Sequence, residues 1–184
     1  MRLEITKYGN PILRTKGKRI EKIDDELRAL ASDMLETMHS ANGVGLAAQQ
    51  IGKALQLTVL DISQVEDRPS TLKLNGNEVD PVAAMPLVLI NPQLDLGEEK
   101  VLGSEGCLSI PDITADVMRA EHVSARAKTL EEEEVAIEAS GLLARALQHE
   151  VDHLNGILFI DRISSVAKAS LASRLKRMQK ENAL

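Results

Sequence analysis

Aromatic side chains are almost missing from this chain: its 184 residues include one Phe, one Tyr and no Trp. That excludes aromatic stacking on single-stranded nucleic acid, because the bases would have almost nothing to stack on. Positive charge is not in excess either. The 22 Lys and Arg residues face 28 Asp and Glu, a net charge of −6, so there is no general electrostatic footprint for nucleic acid, only room for a local basic patch. No apolar run approaches the roughly 20 residues that span a bilayer, and no membrane contact is expected. The opening Met1-Arg2-Leu3-Glu4-Ile5 shows neither an apolar nor an Arg/Ser-rich leader pattern. The one cysteine, Cys107, cannot form an internal disulfide. A reducing cytoplasm is therefore the expected compartment, and Cys107 must be explained as packing, nucleophile or metal ligand.

What is present is ordinary globular material: 43% hydrophobic and 27% charged residues, at a length that suits one domain spanning residues 1–184. Tyr8-Gly9-Asn10-Pro11-Ile12-Leu13 reads as an extended loop, since Gly-Asn and Asn-Pro discourage helix. A helix is expected from Asp24 or Asp25, with Leu27, Leu30, Met34 and Met38 on one stripe. Leu55 to Ile62 and Leu87 to Leu96 read as strands. Between them, residues 64–86 hold Asp-Arg-Pro-Ser, Asn-Gly-Asn and Asp-Pro, which suggests a surface insertion, lid or flexible loop. Val123 to Ala127 and Val135 to Ala139 alternate as the arms of a hairpin around a solvated Glu run. Ser140-Gly141 opens a second helix with Gly156 just past its end, and a last helix covers residues 164–180. Short strands with segregated helices mean an α+β fold.

Three segments carry chemistry. His149-Glu150-Val151-Asp152-His153 places two imidazoles four residues apart on a helix, about 6 Å along its axis. So placed they can grip one metal ion, while Glu150 handles the proton of an activated water. A solvated helix face that happens to carry two histidines is the bland alternative. The position six residues after His153, where one metallopeptidase group has a third histidine, holds Phe159, and the only acidic residue near the chain end is Glu181. A third ligand should therefore lie upstream. Cys107, within Glu105-Gly106-Cys107-Leu108-Ser109-Ile110-Pro111, is the natural choice, although a lone cysteine also serves as a small buried hydrophobe. A thiolate with two imidazoles leaves a coordination position open, as catalytic sites do. The third segment, Gly43-Val44-Gly45-Leu46-Ala47-Ala48-Gln49-Gln50, is either a tightly packed glycine turn or a place where backbone approaches a ligand. Its glycine spacing is wrong for a dinucleotide fingerprint.

Taken together and in this order, the three segments resemble the peptide deformylases, and the likeness runs from Tyr8 through Asp161. The resemblance implies small mixed or antiparallel sheets packed around a central helix that bears the metal motif, with a C-terminal helix beyond. It implies hydrolysis of the N-formyl group of formyl-methionyl nascent chains. It makes Cys107, His149 and His153 the metal ligands, for ferrous iron first and otherwise zinc, nickel or cobalt. It makes Glu150 the general acid/base, and the Gln50 amide with the Leu108 backbone N–H the oxyanion donors. Gly45 would bind the substrate backbone, with Val44, Glu105 and Leu142 near the methionine side chain. A metallopeptidase using the same pentad and a non-catalytic metal-binding protein of the same fold are the rival readings. From Arg162 onward, six basic residues (Arg162, Lys168, Arg174, Lys176, Arg177, Lys180) face only Glu181. That helix is either a solvated polar face or, as the resemblance suggests, a contact to ribosomal RNA.

Overall fold

The computed structural model describes residues 1–183. Three α-helices and nine strands alternate irregularly: α1 (Asp25–Ser40), β1 (Gly45–Ala47), β2 (Leu57–Leu60), β3 (Ser70–Leu74), β4 (Asn77–Val79), β5 (Leu87–Leu96), β6 (Lys100–Cys107), β7 (Ile110–Ala120), β8 (His122–Lys128), β9 (Glu134–Ser140), α2 (Gly141–Leu154) and α3 (Ser165–Asn182). Seven strands form one antiparallel sheet in the order β1-β2-β5-β8-β9-β3-β4, while β6 and β7 pair only with each other. The expected α+β class is what the structure shows, with α2 packed between the main sheet and β7.

Local chemistry explains the helix limits. Asp24 caps α1 by accepting from the Leu27 N–H at 3.0 Å, and Leu27, Met34 and Met38 of the expected stripe are buried against β1, β2 and β5, with Leu30 half-buried at the rim. At the far end of α2, Gly156 takes a positive φ of 75°. There the Ile157 N–H reaches the Asp152 carbonyl and the Gly156 N–H the His153 carbonyl, the paired bonds by which a left-handed glycine closes a helix. A methyl group at Gly156 would meet the Arg14 carbonyl oxygen at 2.6 Å, so this stop also admits the N-terminal segment close to the metal-motif helix.

Two expectations are corrected. Residues 11–14 are not extended: Pro11–Arg14 form a 3-10 turn capped by the Asn10 side chain, with Asn10 itself extended. Proline suits the first position of such a turn because its missing N–H is not needed there. Residues 64–86 are not merely an excursion. They contain β3 and β4, joined by Asn75 (φ 50°) and Gly76 (φ 83°), the two-residue turn whose twist matches a hairpin. β3 pairs with β9 and buries Leu72 opposite Ala139, so the hairpin extends the sheet. Strands β6 and β7 had no sequence signal of their own. Gly103, Ser104 and Gly106 dilute the apolar alternation, and two of the buried inner positions are the charged Glu105 and Arg119.

Candidate active site

The helix α2, the end of β6 and the segment around β1 converge on a cavity of about 510 Å³. Cys107 ends β6, and His149 and His153 lie one turn apart on α2; one ligand atom from each lies within 4.8 Å of the other two. The Cys107 sulfur and His153 Nε2 are 3.3 Å apart, close to the separation of about 3.5 Å kept by two ligands of one tetrahedral ion. The His153 ring is buried, and its Nδ1 has no hydrogen-bond partner among the described residues. Burial and the neighbouring His149 hold the pKa of His153 well below the ordinary value, so its ring stays a neutral donor. Burial would lower His149 too, but its bonds to Cys107 and Glu105 outweigh that and raise it well above the ordinary value. Its Nδ1 is occupied by Glu105 Oε1 at 2.9 Å, so Nε2 is the nitrogen that can take a cation, in exchange for the proton it otherwise shares with Cys107. A thiolate and two imidazoles, one of them oriented by a carboxylate, are a donor set suited to zinc or iron.

Glu150 points from α2 into the same cavity and is buried. Its carboxylate receives one long bond, 3.5 Å from the Thr58 hydroxyl, and burial pushes its pKa up to about 7. Gly45 sits directly against it: a Cβ there would lie 2.5 Å from Glu150 Oε1. The glycine in β1 is thus required for space, whatever else it binds. Gln50 is buried, and its Oε1 accepts from the Ala47 N–H at 2.9 Å. That bond directs the amide nitrogen toward the Cys107 sulfur (3.5 Å) and the Ser109 hydroxyl (3.1 Å).

The remaining expected residues, Val44, Leu108 and Leu142, also line the cavity. Glu105 lines it as well, but both its carboxylate oxygens are engaged, with His149, with Arg119 at 2.8 and 2.9 Å and with Arg145 at 2.8 Å. Burial would raise its pKa, yet these partners hold it well below the usual carboxylate range. Arg119 continues to Asp152 at 2.6 Å, which in turn holds Arg162. Sequence reasoning missed Arg119 and Arg145, and counted Arg162 with the basic C-terminal run, whereas the structure pairs it with Asp152. Asp152 was in view inside the pentad, three residues after His149 and next to His153, and nothing local marked it as the second anchor of a buried arginine.

The family model described as polypeptide deformylase matches residues 2–169. The chain belongs to the peptide deformylase family. A peptide deformylase of Methylacidiphilum infernorum is 44% identical over 184 residues, covering 100% of this chain and 96% of that protein. One from Acidobacterium capsulatum is 42% identical over 176 residues, 96% of this chain and 95% of its own. Among solved structures, the peptide deformylase of Thermotoga maritima superposes with a TM-score of 0.76 at 34% identity, covering 89% of this chain and 99% of that one. The Synechococcus elongatus peptide deformylase, solved with actinonin, reaches a TM-score of 0.80 at 40% identity over 94% of this chain and 87% of that one. Peptide deformylases are metal-dependent enzymes, and the Cys107, His149 and His153 cluster is the place in this chain whose chemistry fits a metal ion.

Proposed function

We propose that this chain hydrolyses the formamide bond of N-formyl-methionyl nascent peptides, releasing formate and a free methionyl N-terminus. The observation that carries the reading is the convergence of the Cys107, His149 and His153 donors in one cavity with Glu150 and Gln50. These three residues would hold the metal, for which we propose ferrous iron, with zinc, nickel or cobalt able to use the same donors. When bound, the metal polarises the formyl carbonyl and lowers the pKa of water. Glu150 takes the proton of the attacking water and returns it to the departing amine, which must be protonated to leave. Charge develops on the former carbonyl oxygen, where the Gln50 amide and the Leu108 backbone N–H donate. Glu105 does not bind substrate through its carboxylate but orients His149.

The substrate backbone has a natural course. β1 is the end strand of the main sheet and β6 is paired on one side only, so an extended peptide can lie between their free edges by strand addition. Gly45 offers its backbone there, and Val44 and Leu142 border the methionine side chain. A turnover assay on formyl-Met-Ala beside unformylated Met-Ala tests the proposal. Formate should appear from the formylated peptide alone and stop when the metal is chelated. Cleavage of the peptide bond would indicate a metallopeptidase, and no turnover of either would indicate a metal-binding protein without catalysis.

The cytoplasm, where nascent chains emerge, is the proposed compartment, and α3 is the proposed contact with the ribosome. Leu175 on α3 is buried and Leu171 and Met178 half-buried against the cluster around Phe159, while Lys176, Arg177 and Lys180 are exposed. Phosphate contacts by such residues need no aromatics and weaken steeply with salt. Arg174 is left unchanged in the test because it donates to the Asp112 carbonyl at the cavity rim. Changing Lys176, Arg177 and Lys180 together to Gln should reduce co-sedimentation with ribosomes at low salt, with hydrolysis of a short formyl-peptide unaltered. Equal sedimentation of variant and parent would leave α3 as a solvated face only.

A further inference from the structure

Residues 6–8 run as a strap across two segments that are distant in sequence. The Thr6 N–H donates to the Gln50 carbonyl at 2.8 Å, and the Tyr8 N–H to the Ser109 carbonyl at 2.8 Å. Between them, Lys7 turns its ammonium to the Leu108 carbonyl at 3.0 Å and lines the same cavity as Cys107, His149 and Glu150. The strap therefore ties together the two segments that supply the oxyanion donors proposed above.

The turn it holds has little to fix it from within. Leu108 and Ser109 are the two-residue connection between Cys107 and Ile110, which face each other across β6 and β7. Two-residue hairpin turns match strand twist when they adopt positive φ at one or both positions, and neither Leu108 nor Ser109 does so. The pairing also breaks register at this point, with Gly106 opposite Thr114 but Cys107 opposite Ile110. The turn is instead held from outside, by Tyr8, by the Gln50 amide on the Ser109 hydroxyl at 3.1 Å and by Lys7. Only Lys7 brings a full charge, which makes its bond to the carbonyl the strong one.

We propose that Lys7 is a positioning residue for deformylation: its ammonium, anchored on the Leu108 carbonyl, fixes the peptide planes of the turn so that the Leu108 N–H faces the developing oxyanion. This rests on the oxyanion roles proposed for Leu108 and Gln50. The carbonyl belongs to the peptide plane on the far side of the Leu108 Cα from that N–H, so Lys7 acts through the backbone and does not touch the reacting atoms. A donor that is misaimed loses transition-state stabilisation while substrate binding persists, which lowers kcat and spares KM.

Outright loss of such a donor costs about 10²–10³ in rate, and a donor that is present but loosened should cost about tenfold. Lys7→Met should therefore lower kcat on formyl-Met-Ala about tenfold, with KM, metal content and Tm as in the parent, and Lys7→Arg should recover most of the loss. Gln50→Ala in the same assay tests the underlying assignment separately and must fall further than Lys7→Met. If Gln50→Ala keeps its rate, the oxyanion assignment itself is wrong. If Gln50→Ala is slow while Lys7→Met keeps kcat within twofold, Lys7 has no positioning role. A Lys7→Met variant that loses metal or Tm along with kcat, or that Lys7→Arg fails to rescue, overturns the proposal in favour of a general structural bond.

Discussion

Replacing Glu150 by Ala should leave the metal in place and lower hydrolysis of formyl-Met-Ala by at least about a hundredfold, up to about ten-thousandfold, the range attributed to a positioned general acid/base. The two properties separate because Glu150 is not among the three clustered donors. Its carboxylate instead faces Gly45 and keeps a single 3.5 Å bond to Thr58. A buried carboxylate with so little compensation contributes nothing to folding and costs desolvation. The variant should accordingly unfold at the same or a higher temperature than the parent, as sites selected for chemistry over stability often do. Elemental analysis, rate and Tm measured on one preparation decide the matter. Loss of metal, or a rate near that of the parent, would sink the assignment of Glu150 to proton transfer.

Replacing Arg119 by Met is expected to have the largest effect on stability. The guanidinium is 4% exposed and joins Glu105 of β6 to Asp152 of α2. Without it, two buried carboxylates lose a partner they were desolvated to meet. Breaking a buried pair from one side costs about 3–5 kcal/mol. Arg145 still holds Glu105 and Arg162 still holds Asp152, which places the expectation at the lower end, about 3 kcal/mol. Glu105 also orients His149 through the 2.9 Å bond to Nδ1, so the variant should release its metal to a chelator faster than the parent. Urea unfolding of the metal-loaded proteins and the rate of metal release are the measurements. A stability change under about 1 kcal/mol, with unaltered metal release, would show that Arg145 and Arg162 suffice.

Much of the fold was legible because its signals are local. The stripe of Leu27, Met34 and Met38 follows helical period, and Val123 to Ala127 with Val135 to Ala139 follows strand period. Asn75-Gly76 was equally plain as punctuation, but a turn signal alone does not say whether its flanks join a sheet; that depended on β9 being free to accept β3. β6 and β7 were opaque for the opposite reason. Their inner face is paired charge, and a buried Glu105 or Arg119 looks the same in sequence as a solvated one.

The sequence alone determined the chemistry available at each segment. His149 and His153 share a helix face because four residues are nearly one helical turn, Glu150 follows directly beside the first of them, and Cys107 is the one thiol in the chain. Only the tertiary structure decided which of these groups meet. Cys107 lies 46 residues from the histidine it faces, Lys7 lies 101 residues from the carbonyl it holds, and Gly45 is glycine because Glu150, from another element, occupies the space of its side chain. Periodicity reports what a residue's own element does with it over a turn or two. Partners brought together by chain crossings leave no such period, since their contact depends on how the β6–β7 hairpin, β1 and the N-terminal strap are folded onto α2.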